Sequence, residues 1–176
     1  MTLVSQGEAI TIKREMAADR EKAEHYLLTY ADELKKYQDG RREYISAGKS
    51  KKSKNPVERA VLRGAAYDAK SDALRWLQAV EIVERGMDGR KLLFLAARRK
   101  AETRKGNGFG CGRPGWVAMT QRIFADAMGK QYLAPCYWLA ERTVKSWWQD
   151  IISRTVNVAL RIKNNFGQHF IPRKMR

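Results

Sequence analysis

Acidic residues are scarce in this chain. Against 35 Lys and Arg stand 19 Asp and Glu, which leaves a formal +16 over 176 residues and a pI near 10.1. A surplus of that size favours a polyanionic partner. Nucleic acid leads, because neutralising phosphates releases condensed counterions, and an anionic membrane surface is the electrostatic competitor. Cysteine is nearly missing too. Cys111 and Cys136 are the only two, and His25 and His169 lie far from them in sequence, so neither a zinc pattern nor a disulfide framework follows. Reduced cytoplasmic thiols are expected. No apolar run approaches the roughly 20 residues that span a bilayer. The N-terminal MTLVSQGEAITIKREM has no basic stretch followed by an apolar core, so no secretory leader is expected. Strand candidates are lacking as well: Ile10–Ile12 is the only β-leaning stretch, and it is very short. The chain reads as all-α.

The residues of catalysis are thin on the ground. The two histidines sit in dissimilar contexts, and no pair of acids falls in a pocket-like pattern. Asp126 and Asp150 are solitary acids that suit solvated or capping positions. No enzymatic activity, cofactor or metal is expected.

The basic residues are not evenly spread. Counting Lys and Arg minus Asp and Glu, residues 41–63 carry +6, 89–113 carry +7 and 134–176 carry +6, while 1–40 and 64–88 each carry −2. With 44% apolar residues in periodic order, these are basic surfaces laid on a scaffold rather than a disordered basic chain.

Residues 15–46 read as one long helix. Ala23, Leu27, Tyr30, Leu34, Tyr37 and Tyr44 follow a 4-3 spacing that fits packing on the rest of the chain, a helical hairpin, or a homodimeric coiled coil through 15–46. GKSKKSKN, residues 48–55, has no apolar residue and marks a linker. Asn55-Pro56 then supplies an N-cap and a first-turn proline for a helix over 57–66. A further helix over 71–85 aligns Ala73, Trp76, Leu77, Val80 and Val83, with Met87 continuing the row, and another over 89–101 is basic at both ends. KGNGFGCGRPG, residues 105–115, holds five glycines and a proline, so it is irregular. It is no phosphate-cradling loop, since the Lys-Ser/Thr ending is missing. Its Gly112-Arg113-Pro114 is similar to the core of minor-groove hooks, which makes Arg113 a candidate groove or phosphate contact. Residues 116–128 form a short helix that Gly129 is expected to end.

The most informative stretch is AERTVKSWWQDIISRTVNVALRIKN, residues 140–164. At 100° per residue, Val144, Trp148, Ile151, Ile152, Thr155, Val158, Ala159 and Ile162 gather on one arc, with Trp147 at its edge. Arg142, Lys145, Ser146, Gln149, Ser153 and Asn157 fall opposite. One side packs, and the other is polar and basic.

A short helix, a glycine, then a helix opening Arg142-Thr143-Val144-Lys145-Ser146-Trp147-Trp148 and ending Ala159-Leu160-Arg161-Ile162 resembles the helix-turn-helix of sigma-factor C-terminal regions. It is especially similar to phage-type transcription regulators built on that module. Upstream Ala73-Leu74-Arg75-Trp76-Leu77 and Gly112-Arg113-Pro114 fit the same pattern, so the resemblance covers about residues 70–163. One departure is plain: eleven residues separate Gly129 from Glu141, where the motif has a turn of three or four.

The chain is expected to be all-α, with an N-terminal helical segment (1–47), a linker (48–55) and a basic tail at 166–176, and the resemblance makes 56–165 a helix-turn-helix domain. It further implies a sequence-specific regulator of phage or prophage origin, working in the bacterial cytoplasm on duplex DNA, with RNA polymerase as a second partner. Gln149 or Arg142 would pair with adenine or guanine edges in the major groove. Thr143, Lys145 and Ser146 suit phosphates or single base contacts, and Arg98, Arg99 and Lys100 suit backbone clamps. Two other readings share the composition: a small DNA-packaging, terminase-like subunit, and an RNA-binding antiterminator.

Overall fold

The structure, a computed structural model, describes residues 6–47, 55–105, 115–132 and 137–166. Among the described residues the chain is all-helical, without a strand. Six helices follow in order: α1 (Gln6–Ser46), α2 (Pro56–Lys70), α3 (Asp72–Arg85), α4 (Gly89–Lys105), α5 (Trp116–Tyr132) and α6 (Glu141–Phe166).

Local chemistry sets most of these boundaries. The Asn55 side chain accepts from the backbone amides of Val57 and Glu58, and Pro56 contributes no amide that would need a partner. A single residue, Ser71, parts α2 from α3: its extended backbone (φ −87°, ψ 108°) breaks the helical ladder. Asp88 starts α4 by accepting from the Lys91 amide at 2.9 Å. Gly129 does not end α5, contrary to expectation. The helix runs on to Tyr132, and a glycine inside a helix costs only about 1 kcal/mol, which the burial of the neighbouring Met128 can offset.

The core is one cluster. Trp76, Val80 and Val83 of α3, Phe94, Leu95 and Ala97 of α4, Phe124 and Met128 of α5, and Val144, Trp148, Ile151 and Ile152 of α6 meet there. α4 packs mainly on α5, and α3 on α6. Ala23 and Leu27 of α1 are fully buried in the same cluster. That part of the face available for a coiled coil is therefore covered by helices of the same chain.

α1 is broken at Thr29 (φ −111°, ψ 21°), whose hydroxyl donates to the His25 carbonyl at 2.8 Å. Before the break α1 lies against α3, α4 and α6. After it, α1 pairs with α2 through a ring cluster of Tyr37, Tyr67 and Tyr44 and an ion pair of Arg41 with Asp68 at 2.8 Å. Tyr37 also donates to Asp68. At Gly40 a Cβ would sit 2.6 Å from the Tyr67 hydroxyl, so the missing side chain is what lets that ring approach.

Candidate nucleic-acid interface

α6 is oriented by its buried arc. Val144, Ile151, Thr155 and Ala159 have no exposure, and Trp148 is 2% exposed with its indole N–H donating to Glu24 of α1 at 3.1 Å. Trp147 stands edge-on to Phe94 and Phe124, with centroids 5.6 and 6.2 Å away. Upstream, the buried Gln121 of α5 donates to the Leu139 carbonyl at 2.7 Å, which fixes the segment leading into α6. With that much of the helix pinned, the opposite arc has one orientation. Arg142, Lys145, Ser146 and Gln149 are exposed on it, and Thr143 is half-buried. Trp138, just before the helix, is 60% exposed.

The exposed side chains are not equally available. Lys145 pairs with Glu141 one turn earlier at 2.5 Å, so part of its charge is already neutralised. The Gln149 amide oxygen accepts from Arg20 of α1, a neighbour 129 residues away that nothing in the sequence pattern signals. Arg142 has no ion-pair partner among the described residues and is the most available cation on the arc. Further along, Asp150 is held by Lys91 of α4 at 3.1 Å and by Arg154 at 3.0 Å. Burial alone would raise its carboxyl pKa, but hydrogen bonds from those two cations outweigh it and keep the group below the ordinary carboxylate range. Arg154, Arg161 and Lys163 continue the exposed basic row.

Two of the three expected backbone clamps are engaged inside the protein. Arg98 is 3% exposed, its guanidinium lying 4.7 Å from the Trp116 ring centroid and 5.1 Å from that of Trp148. It is paired with Glu102 at 2.6 Å and Glu24 at 3.7 Å. A cation sandwiched between two indoles joins α4, α5 and α6 and cannot reach a phosphate. Arg99 donates to the Leu27 carbonyl at 2.7 Å and pairs with Glu84 at 2.5 Å, bracing α1 beside its break. Only Lys100 of the three is exposed. Arg113 lies outside the described residues.

α5 and α6 touch through Phe124 and Trp147, but residues 133–140 separate them, more than the turn of a helix-turn-helix allows. Among the described residues no cluster of His, Cys, Asp and Glu has the makings of a metal site, and no helix is long and apolar enough to cross a membrane. No protein-family model, curated protein or solved structure matches this chain. What the α6 face can recognise therefore has to be judged from its own chemistry: guanidinium, ammonium, hydroxyl and amide groups in the first three turns of a rigid helix, with an exposed indole alongside.

Proposed function

We propose that the chain binds duplex DNA as a transcription regulator of phage or prophage type, with the N-terminal turns of α6 as the reading element. The observation that carries this reading is the division of α6: Val144, Trp148 and Ile151 are locked in the core, while Arg142, Ser146 and Gln149 project from the other side. A helix so held can enter a major groove without paying to order itself, and Arg and Gln are the side chains that pair bidentately with guanine and adenine. Long-range attraction supports it. Of the +16, residues 48–54 carry +4, 106–114 carry +1 and 167–176 carry +3, and among the helices α4 (+6, seven basic residues less one acid) and α6 (+3, five less two) are the most basic. Bacterial cytoplasm is where such a regulator would meet its operator and RNA polymerase.

The test is binding to a random-sequence duplex across a salt series, with single-stranded and duplex RNA as competitors. The logarithm of the affinity is expected to fall linearly with log salt, at a slope implying on the order of 5–8 phosphate contacts. Absence of binding at about 50 mM salt, or indifference to salt up to about 200 mM, overturns the reading. RNA outcompeting duplex DNA replaces it with the antiterminator class.

A further inference from the structure

Gln149 on the polar arc of α6 has a neighbour from the other end of the chain. α1 is anchored by Ala23 and Leu27 in the core and by Glu24, which accepts from the Trp148 indole at 3.1 Å. Arg20 stands one turn before Glu24, where α1 leaves the core: Met16, Ala17 and Ala18 ahead of it are exposed. From there its guanidinium donates to the Gln149 side-chain oxygen. Glu24, the acid one turn along, is engaged by Trp148 and Arg98. Arg20 makes no ion pair among the described residues, so α1 delivers an unneutralised cation to the polar arc.

The contact fixes how the amide is turned. A guanidinium has only N–H donors, so the group it meets must be the oxygen, and the amide nitrogen keeps both of its donors for another partner. Reading adenine bidentately needs both halves of that amide, the oxygen accepting from the N6 amino group and the nitrogen donating to N7. With Arg20 on the oxygen, the adenine amino group would have to approach a cation. Guanine instead presents two acceptors, O6 and N7, side by side. It is matched by two donors side by side, the Gln149 amide nitrogen and a remaining N–H of Arg20. The same guanidinium thus repels one base and attracts the other, and specificity is the difference between those two effects.

We propose that Arg20 and Gln149 form one composite reading unit that takes guanine rather than adenine, so that a residue of α1 sets the base preference of α6. This rests on the duplex-DNA reading above and names the base its site selects. The experiment is selection of bound fragments from a random duplex pool by the full chain, followed by competition with single-base variants of the selected site. One guanine should be found whose replacement by adenine weakens binding about tenfold. Replacing it by 7-deazaguanine, which lacks the N7 acceptor, should weaken binding as well, and this probe leaves the protein untouched, so folding plays no part in it. Gln149→Ala should erase the preference at that position alone. Arg20→Ala, which releases the amide oxygen, should turn the preference from guanine toward adenine there while the other positions keep theirs. An Arg20 that only braced α1 would weaken every position alike, which overturns the proposal. Adenine preferred by the wild-type chain at the position that Gln149→Ala relaxes overturns it too, as does a guanine preference that Arg20→Ala leaves intact or a bound pool with no preferred base. In all of these the chain still binds duplex DNA, whereas a chain that binds no duplex at about 50 mM salt overturns the DNA reading along with the proposal.

Discussion

Trp148 and Gln149 are adjacent in sequence and opposite in circumstance. The indole of Trp148 is enclosed by the core and by Arg98, whereas Gln149 is exposed and its side chain meets Arg20. Trp148→Ala should leave a cavity and cost roughly 3–5 kcal/mol. That is a large part of the roughly 5–15 kcal/mol that holds a typical domain together, so thermal melting should move down steeply. Gln149→Ala should stay within about 0.5 kcal/mol in stability, since the lost contact is at the surface. Melting curves for the two variants, recorded by circular dichroism, check the pair of expectations. Similar losses in both would mean that the outer arc of α6 is not free. Arg98 teaches a different lesson at this scale. A run of Arg98, Arg99 and Lys100 looks like a phosphate clamp because composition reports charge and not depth. The two rings that bury Arg98 come from Trp116 and Trp148, which lie far apart in the chain. Glu102, one turn on, was the local hint that the guanidinium has a use at home.

Among the elements, helices were the legible part and their ends less so. Apolar spacing located α2, α3, α4 and α6 to within a few residues, because each buries one stripe. The errors came where local signals compete with packing: Gly129 is a helix-ending residue by type, yet it lies inside α5. α1 begins nine residues before the periodic pattern does, at Gln6, and its break at Thr29 has no proline or glycine to announce it. The pairing of α1 with α2 has an acid-sensitive fastening. Burial would raise the Asp68 carboxyl pKa, but the hydrogen bonds from Arg41 and Tyr37, with the charge of Arg41, more than reverse this and hold it below its ordinary value. A carboxylate with a depressed folded-state pKa contributes stability that is complete above its unfolded value, near 4, and is lost as pH falls through the folded one. Hydrogen exchange of α2 amides should therefore accelerate relative to α3 as the solution is taken from about pH 5 to below pH 4, after correction for intrinsic rates. Asp68→Asn should abolish that dependence. An α2 whose protection is insensitive to acid, or equally sensitive in the Asn variant, would assign the fastening elsewhere. Tyr37 is shifted the other way, its pKa raised by burial and then by the neighbouring Asp68, so it stays a donor throughout this range.

At the scale of the molecule, charge and geometry make separate demands on binding. Arg142, unpaired and exposed, should matter more than Lys145, which Glu141 already half satisfies. Arg142→Ala should cost about 1–3 kcal/mol at a preferred duplex site if it reads a base, or lower the salt slope by about one for every duplex if it holds a phosphate. Lys145→Ala should have the smaller effect. Binding unchanged by Arg142→Ala would remove α6 from the interface. The polar arc itself could be read from the sequence, since a helix period fixes which residues share a side. Which of those residues are already engaged could not, because Arg20 and Lys91 arrive from helices that no local pattern connects to α6.

The five tryptophans divide by environment in a way that has an optical consequence. Trp76 and Trp148 are buried, Trp116 and Trp147 half-buried, and Trp138 alone is well exposed. Emission from the buried indoles is shielded from dissolved quenchers, while iodide or acrylamide reaches Trp138 directly. Trp138 lies three residues before α6, so a partner whose footprint extends past the first turn of that helix would shield this indole. The unmodified chain thus carries its own fluorescent reporter of occupancy, read as the loss of its quencher-accessible fraction.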